Sequence, residues 1–400
     1  MTGSGSMGTK AASGRLASVD LLRGLVMVIM TIDHTRDFVH SAAMNFPPED
    51  LARTTPEIFF TRWITHICAP AFMFCAGLGA GLRLDRGGTV GGLSRFLWTR
   101  GLFLVVLEVS LVRLGFFFDL DYGVVFLLVF WALGLCMIAL ALLIHLPYRA
   151  LLASSLGMIV LHNLADGVRA DRFGGWAWVW QVLHEQGLLL RSPTVIVAYP
   201  VVPWIGVMAL GFCFARLYRL PVEERRRLFI RLGLALTCAF VALRAWNVYG
   251  DPRPWAAQEC PLFTLLSFLN ATKYPPSLAF LLMTLGPTIA LLGWLERFRP
   301  GERHALVVFG RVPLFYFVLH IPLIHALAIA LTWLRYGAAT FLFVPPPTLG
   351  TPRAVFPGDY GWSLGVAYGV TAAVVLALYP LCLWFARFKQ RRADWWLGYL

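Results

Sequence analysis

The sequence predicts an all-α fold, a polytopic transmembrane helix bundle of about ten spans (ten to eleven). Hydrophobic residues make up 58% of the 400 residues and charged residues only 14%, a composition that soluble domains do not have. The mean hydropathy is +0.70, and apolar runs of about 20 residues, the length that crosses a bilayer, recur along the whole chain. These runs lack the alternation typical of barrel strands, so each crossing is expected to be helical.

The chain is expected to form one membrane domain, residues 18–400, after a disordered lead-in at residues 1–17. The lead-in is small and polar and lacks the apolar segment of a signal peptide. Apolar content predicts spans at residues 18–40, 57–82, 96–118, 123–146, 149–165, 198–218, 228–248, 276–296, 304–334 and 362–388. Residues 176–190 are rich in Trp, which favours the headgroup level, and are expected to be an interfacial helix or loop. Residues 260–277 are expected to be interfacial or re-entrant, and an eleventh span at either segment is the alternative.

The distribution of lysine and arginine predicts the orientation in the membrane. If the N-terminus is cytosolic, nineteen of these residues lie in cytosolic segments and eight in the outer loops, although the outer loops are longer. The positive-inside rule therefore places both termini in the cytosol, which requires an even number of spans. The same distribution explains the net charge of +13, so nucleic acid is not an expected partner. The expected location is the inner cell membrane, in multi-pass form.

The first span, in the stretch "RGLVMVIMTIDH", carries the densest set of ionisable residues. Such residues cost roughly 2.5 to 3.5 kcal/mol each in a bilayer, which makes them functional candidates. Arg23 and His34 are eleven positions apart, so they share one helix face and are separated by roughly 16 Å. This arrangement suits an elongated ligand with an anionic head. Arg23 is expected to bind a phosphate of the anionic head. His34 is expected to act as general base or nucleophile at the other end of the ligand, where its long arm ends.

Further charged residues follow Arg23 and His34 on the same span. Asp33, Asp37 and His40 form a second cluster with Arg36 at helical spacings. Asp33 or Asp37 is expected to orient the imidazole of His34, and His40 is the rival catalytic histidine. The alternative is that these groups only form ion pairs at solvated helix ends. A metal site is not expected, because too few histidines and acids of the first two spans share one face at ligand spacing.

Four residues outside the first span are weaker candidates for substrate contacts. Arg62 and His66 share a face at the start of a predicted span that ends in "GLGAG", a pattern that allows close helix contact. Trp204 follows prolines in "AYPVVPWIG", which suggests a kinked helix lining a cavity. Lys273 precedes "YPPSL" on the predicted outer side.

Two other segments contain candidate residues, one pair for binding the donor and one buried acid. Arg311 and His320 repeat the order of arginine followed by histidine within one predicted span, and both are expected to contact the donor. Glu108 lies in the middle of a span and is expected to have a buried cationic partner.

The motifs together resemble a known family. "RLASVDLLRGLVMVIMTIDH", "APAFMFCAGLGAGL", "PWIGVMALGF", "KYPPSLAFLLMTLG" and "FGRVPLFYFVLH" are similar to bacterial relatives of heparan-alpha-glucosaminide N-acetyltransferase, within a wider group of multi-span acyltransferases. The acyltransferase-three branch of that group carries an arginine and a histidine separated by ten residues, which Arg23 and His34 match. The glucosaminide acetyltransferases place an asparagine where Asp33 stands and their active histidine further on, where His40 is the nearest later histidine.

The resemblance implies a reaction and its partners. The donor substrate is acyl-CoA, expected to be acetyl-CoA, in the cytosol, and its phosphates are expected to meet Arg23 and Arg311. The acceptor is expected to be a sugar or amino sugar on the extracytoplasmic side, and a histidine deprotonates it or carries the acyl group. The expected partners are the lipid bilayer, acyl-CoA and this carbohydrate or other small molecule, and a homodimer is left open. The alternative function is a small-molecule transporter or flippase that uses the intramembrane charges as a substrate path.

Overall fold

Helices make up most of the structure. The computed structural model describes residues 16–42, 45–345, 355–392 and 394–399, so the predicted lead-in lies almost wholly outside the described residues. The helices are α1 (Ala17–Val39), α2 (Pro56–Thr65), α3 (Cys68–Asp85), α4 (Val90–Leu107), α5 (Arg113–Phe117), α6 (Val129–Leu143), α7 (Tyr148–Leu161), α8 (Ala177–Leu183), α9 (Val202–Phe214), α10 (Val222–Trp246), α11 (Pro261–Leu269), α12 (Leu278–Leu295), α13 (Ala305–Arg311), α14 (Pro313–Tyr336) and α15 (Leu364–Arg391).

A small β-sheet interrupts the helical architecture. Its strands are β1 (Val124–Leu127), β2 (Gly187–Arg191) and β3 (Thr194–Val197), in the order β1-β3-β2. β1 pairs parallel to β3, and β2 pairs antiparallel to β3. The all-α prediction is correct for most of the chain but misses this sheet. Its first strand lies inside an apolar run, and periodicity cannot separate a short buried strand from a buried helix.

Five helices are long and apolar enough to cross a membrane. They are Pro56–Asp85, which α2 and α3 form together, and α10, α12, α14 and α15. A sixth is present if the pair Tyr148–Ala165 and Ala170–Leu183, bent by 110°, is one broken span. The described residues therefore confirm a helical protein with membrane-spanning segments, but they do not confirm the predicted count of ten.

Several of the other predicted spans are short or interrupted. The run 96–118 is interrupted by a π-helical turn at Glu108–Val112, and the run 123–146 contains a strand before its helix. The runs 149–165 and 198–218 contain helices of only 14 and 13 residues. Hydropathy averaged over about 20 residues cannot detect such interruptions, which explains the higher count.

The long run 304–334 is two helices. α13 ends at Arg311 and α14 begins at Pro313, with Val312 in a non-helical conformation between them. A residue that precedes proline is driven out of the helical region by a steric clash with the proline ring, which accounts for the break.

The two segments of uncertain type are not long helices. Residues 176–190 contain α8 and the start of β2, and Trp176 and Trp178 are exposed, as an interfacial segment requires. Residues 260–277 contain α11, a helix of nine residues. Neither segment contains a helix long and apolar enough to span the membrane alone, and α8 counts toward a span only as part of the bent pair with α7.

The first helix lies at the centre of the bundle. α1 contacts α2, α3, α12, α13, α14 and α15. It matches the predicted span 18–40 in length, although its charged residues set it apart from the five apolar helices. Asp20, Asp33 and Arg36 of α1 are therefore buried in protein, where a charge in a membrane protein is tolerated, whereas the Asp37 side chain is 46% exposed.

Glycines allow α3 and α9 to approach closely, as the "GLGAG" pattern predicted. A Cβ atom on Gly77 would overlap the backbone oxygen of Met208, and one on Gly211 would overlap that of Phe74. The two backbones are thus in direct contact, a close approach that small residues permit between membrane helices.

Replacing Gly77 with alanine is expected to lower the melting temperature of the purified protein clearly, because overpacking of a tight contact costs about 1–3 kcal/mol. Gly369→Ala in α15 is the matched control, since nothing lies within 4 Å of the added Cβ atom. Thermal unfolding in detergent measures both variants. Equal melting temperatures for Gly77→Ala and wild type would contradict the close contact.

Candidate functional site

Two adjacent cavities lie along α1. The larger, about 600 Å³, is lined by His34 and is called the His34 cavity. The smaller, about 370 Å³, is lined by Arg23 and is called the Arg23 cavity. Both cavities are lined by Phe72, Val129 and Phe317. The two residues predicted to share one helix face therefore open into neighbouring spaces separated by apolar side chains.

The Arg23 cavity is strongly basic. Its cationic lining residues are Arg23, Arg83, Arg86, Arg100, Arg311 and Lys389. Arg23 Nη2 donates a hydrogen bond of 2.8 Å to the backbone oxygen of Cys75. Within the described part of the chain, Arg23, Arg83 and Arg100 form no ion pair with a carboxylate. Guanidinium groups with remaining donors and no carboxylate partner favour an anionic ligand, above all a phosphate.

Arg311 reaches the same cavity but has acidic neighbours. Its Nε atom lies 3.9 Å from a carboxylate oxygen of Asp20, and its Nη2 atom lies 3.3 Å from one of Glu302. Arg311 thus lines the Arg23 cavity, and the carboxylates of Asp20 and Glu302 already balance part of its charge.

His34 is surrounded by aromatic rings. Its ring centroid lies 5.6 Å from that of Phe116, 6.2 Å from that of Phe317 and 5.2 Å from that of His320. Its Nδ1 atom is buried and has no hydrogen-bond partner among the described residues. An imidazole held between rings at the edge of a cavity is positioned to accept a proton from a bound substrate or to attack it.

The nearby acids are paired with arginines rather than with His34. Asp33 contacts Arg36 at 2.9 Å and Arg62 at 2.5 Å, and Asp37 contacts Arg36 at 2.7 Å. In the described ranges, neither carboxylate forms a hydrogen bond with His34. The structure thus places both acids in an ion-pair network, and their predicted role in orienting His34 stays a prediction.

Glu49, which sequence reasoning missed, completes this network. It accepts a hydrogen bond of 2.8 Å from Arg62 Nε and lies 3.2 Å from His66 Nε2. Burial alone raises the pKa of Glu49, but the charge of Arg62 and the hydrogen bond from His66 outweigh it and hold the pKa well below its usual range. Arg62 and His66 thus lie together, as predicted, with Arg62 between two carboxylates.

Replacing Arg62 with alanine is expected to destabilise the protein by about 3–5 kcal/mol, because, among the described residues, Glu49 would lose its only ion pair with an arginine and Asp33 would keep only the one with Arg36. Arg219→Ala is the matched control: its pair with Asp85 is at 2.6 Å, and the Arg219 side chain is 66% exposed. An exposed pair contributes roughly 0–1 kcal/mol. Thermal or denaturant unfolding compares the two variants, and equal losses would contradict the network's importance.

His40 and Trp204 lie away from both cavities. His40 Nδ1 accepts a hydrogen bond of 3.1 Å from the backbone N–H of Ala42, and its backbone pairs with Trp362. Trp204 is fully buried and contacts Tyr199 at 6.0 Å between ring centroids. Of the two rival histidines, His34 lines one of the two cavities and His40 lines neither.

Lys273 and His320 complete the His34 side of the site. Lys273 lines the His34 cavity together with Tyr274, and its Nζ lies 5.1 Å from the ring centroid of Tyr274. The Tyr274 hydroxyl donates a hydrogen bond of 3.3 Å to Tyr199. His320 Nδ1 lies 2.6 Å from the backbone oxygen of Phe317, so His320 lies beside His34 rather than in the Arg23 cavity, where donor binding was expected.

Glu108 has a partner of a different kind from the one predicted. Its Oε2 atom accepts hydrogen bonds from the backbone N–H groups of Phe130, at 2.7 Å, and Trp131, at 3.1 Å. No ion pair to a cation is found for Glu108 within the described residues, so the expectation of a cationic partner is wrong. The N-terminus of α6 satisfies the carboxylate instead, because its first N–H groups are unpaired and its dipole favours negative charge.

Comparison with protein families identifies the chain. The family model of the heparan-alpha-glucosaminide N-acetyltransferase catalytic domain matches residues 15–244, more than half of the 400 residues. The matched region includes Arg23, His34 and Arg62, whereas α12 to α14 lie beyond it. No curated protein sequence matches the chain. The chain belongs to the family of the heparan-alpha-glucosaminide N-acetyltransferase catalytic domain, a family of membrane acetyltransferases.

Proposed function

We propose that the protein moves an acetyl group from cytosolic acetyl-CoA to a sugar or amino sugar on the opposite side of the membrane. One observation carries the proposal: Arg23 and His34 lie on one helix, and each lines one of two adjacent cavities. Three turns of helix separate them by roughly 16 Å. A donor with an anionic head, a long arm and a reactive end matches this arrangement.

The Arg23 cavity suits the head of acetyl-CoA. Coenzyme A carries a pyrophosphate and a 3′-phosphate, and the cations of this cavity offer bidentate donors to such groups. Arg83, Arg86 and Lys389 come from segments whose charge predicts a cytosolic position, and they meet in this one cavity. The pantetheine arm would pass the apolar side chains that both cavities share and place the thioester near His34.

The His34 cavity suits a carbohydrate acceptor. Its lining combines charged side chains with aromatic rings, among them Asp37, Glu49, Lys273, Tyr274 and Phe46. Carboxylates and a lysine can bind sugar hydroxyl or amino groups, while rings can cover the apolar face of a sugar. Lys273 comes from a loop predicted to lie outside, which supports an acceptor that arrives from that side.

His34 would supply the chemistry in one of two ways. As general base, its imidazole takes the proton of the acceptor hydroxyl or amine while that atom attacks the thioester carbonyl. The carbon–sulfur bond then breaks, and coenzyme A leaves with the proton. As nucleophile, the imidazole attacks the thioester first and carries the acetyl group until the acceptor takes it. Both routes place the same ring between donor and acceptor.

Reconstituted vesicles test the proposal. Labelled acetyl-CoA is supplied on one side and a panel of amino sugars and sugars on the other, and labelled acceptor is measured. Transfer is expected only when acetyl-CoA faces the Arg23 side. Uptake of an unmodified acceptor without acetyl-CoA, and no labelled product, would contradict the proposal and favour a transporter.

A further inference from the structure

A second polar cluster lies away from both cavities, at the end of α7. One ligand atom from each of His162, Asp166 and His184 lies within 4.8 Å of the others. His162 and His184 are only 6% and 5% exposed, and His184 Nε2 lies 3.3 Å from a carboxylate oxygen of Asp166. Two buried imidazoles and the partly exposed Asp166 carboxylate thus converge on one point.

The His162 imidazole has no partner there. Both of its ring nitrogens are buried without a hydrogen bond to the described part of the chain, and so is His184 Nε2. The two rings lie 5.7 Å apart between centroids at 64°. Burial of unpaired polar atoms is unfavourable unless something binds them. Ring nitrogens and a carboxylate that face one another are suited to bind a cation.

One of the three separations matches that of a transition-metal site, and the others lie within 4.8 Å. Zn²⁺ binds histidine nitrogen and carboxylate oxygen at about 2.0–2.2 Å in tetrahedral geometry, so two such ligand atoms lie about 3.3 Å apart. The separation of His184 and Asp166 has this value. Three protein ligands leave a fourth position for water.

A second layer of hydrogen bonds holds the carboxylate. Asn163 Nδ2 donates a hydrogen bond of 2.8 Å to the other oxygen of Asp166, and Asn163 Oδ1 accepts one of 2.9 Å from the backbone N–H of Leu278. Partners of this kind orient the ligands of a metal ion. The Asp166 oxygen that faces His184 therefore has a defined direction.

The loop that carries the ligands is also tied internally. Trp180 Nε1 donates a hydrogen bond of 2.9 Å to the backbone oxygen of Val168, and a Glu185 carboxylate oxygen accepts one of 2.6 Å from the Ala170 N–H. The Trp180 ring lies 5.1 Å from that of His184. These contacts hold the ligands close together before any ion binds.

We propose that His162, Asp166 and His184 bind one Zn²⁺ ion that joins the end of α7 to the segment leading into β2. Gln186, two residues beyond His184, lines the His34 cavity. The ion would thus hold the segment that contains Gln186 in place from outside the cavity, and it would not contact the substrate. This role does not depend on the reaction that takes place in the cavity.

The test uses the full-length protein in detergent with any affinity tag removed. The protein is stripped with a chelator, incubated with Zn²⁺, freed of excess metal and analysed for zinc by mass spectrometry. Wild type is expected to hold about one ion per chain, and His162→Ala with His184→Ala none. The control exchanges two exposed histidines, His145→Ala with His304→Ala, and is expected to bind like wild type.

A conservative variant distinguishes the loss of a metal ligand from misfolding of the protein. Asp166→Asn keeps the side-chain shape and is expected to weaken Zn²⁺ binding at least tenfold. Addition of Zn²⁺ is expected to raise the melting temperature of stripped wild type and not that of this variant. A wild type that takes up no zinc, or an Asp166→Asn variant that binds as tightly as wild type, overturns the proposal.

Discussion

Acetyl transfer by the His34→Ala variant is expected to fall by roughly 10²- to 10⁴-fold, the contribution typical of a positioned general base, or below detection if His34 carries the acetyl group. The reason is geometric, because His34 lines the cavity proposed to bind the acceptor and its Nδ1 atom forms no hydrogen bond with any described residue. Single-turnover transfer from labelled acetyl-CoA measures the effect. Acetyl-CoA binding by the variant should persist, which separates lost chemistry from lost folding.

His40→Ala is the matched comparison for this experiment. His40 Nδ1 is already used by the backbone N–H of Ala42, so its loss should leave the transfer rate close to that of wild type. A His34→Ala variant with the wild-type rate, together with an inactive His40→Ala variant, would reverse the assignment of the catalytic histidine.

The second large effect is expected for donor affinity. Arg23→Ala should weaken acetyl-CoA binding roughly 10- to 150-fold, because a hydrogen bond to a charged group contributes about 1.5–3 kcal/mol and each 1.4 kcal/mol is a factor of ten. Calorimetry, or the thermal shift that acetyl-CoA produces, measures the change. The loss should shrink at high salt, since screening weakens the wild-type interaction.

Two controls sharpen the Arg23 experiment. Arg95→Ala removes an exposed arginine of α4 and should leave affinity unchanged. Dephospho-CoA lacks the 3′-phosphate, so a smaller effect of Arg23→Ala on this ligand would locate the contact at that group. Unchanged affinity for both donors in Arg23→Ala would contradict a donor site in the Arg23 cavity.

Local spacing made part of the site predictable. Arg23 and His34 belong to one regular helix, so counting turns was enough to place them on one face, and both line cavities. The ion pair of Asp33 with Arg36 follows from the same rule. The glycines of "GLGAG" likewise predicted a close helix contact, since small residues permit it at any position along a span.

Contacts between distant segments could not be predicted in this way. Glu49 joins Arg62 through a loop whose course no periodicity describes, and its only sequence signal was an acid between two charged helices. His320 meets His34 because α14 crosses α1 there. Glu108 finds its partner at the start of α6, which follows β1 inside one apolar run.

The apolar side chains shared by the two cavities have a consequence for the membrane itself. In the proposed function the two cavities open to opposite faces of the bilayer, and a continuous polar path between them would let ions leak down their gradients. Phe72, Val129 and Phe317 line both spaces, and an apolar constriction excludes hydrated ions by dewetting. We therefore expect these three side chains to block the flow of ions between the two cavities. Their replacement by small polar residues is expected to make the protein conduct ions across a bilayer.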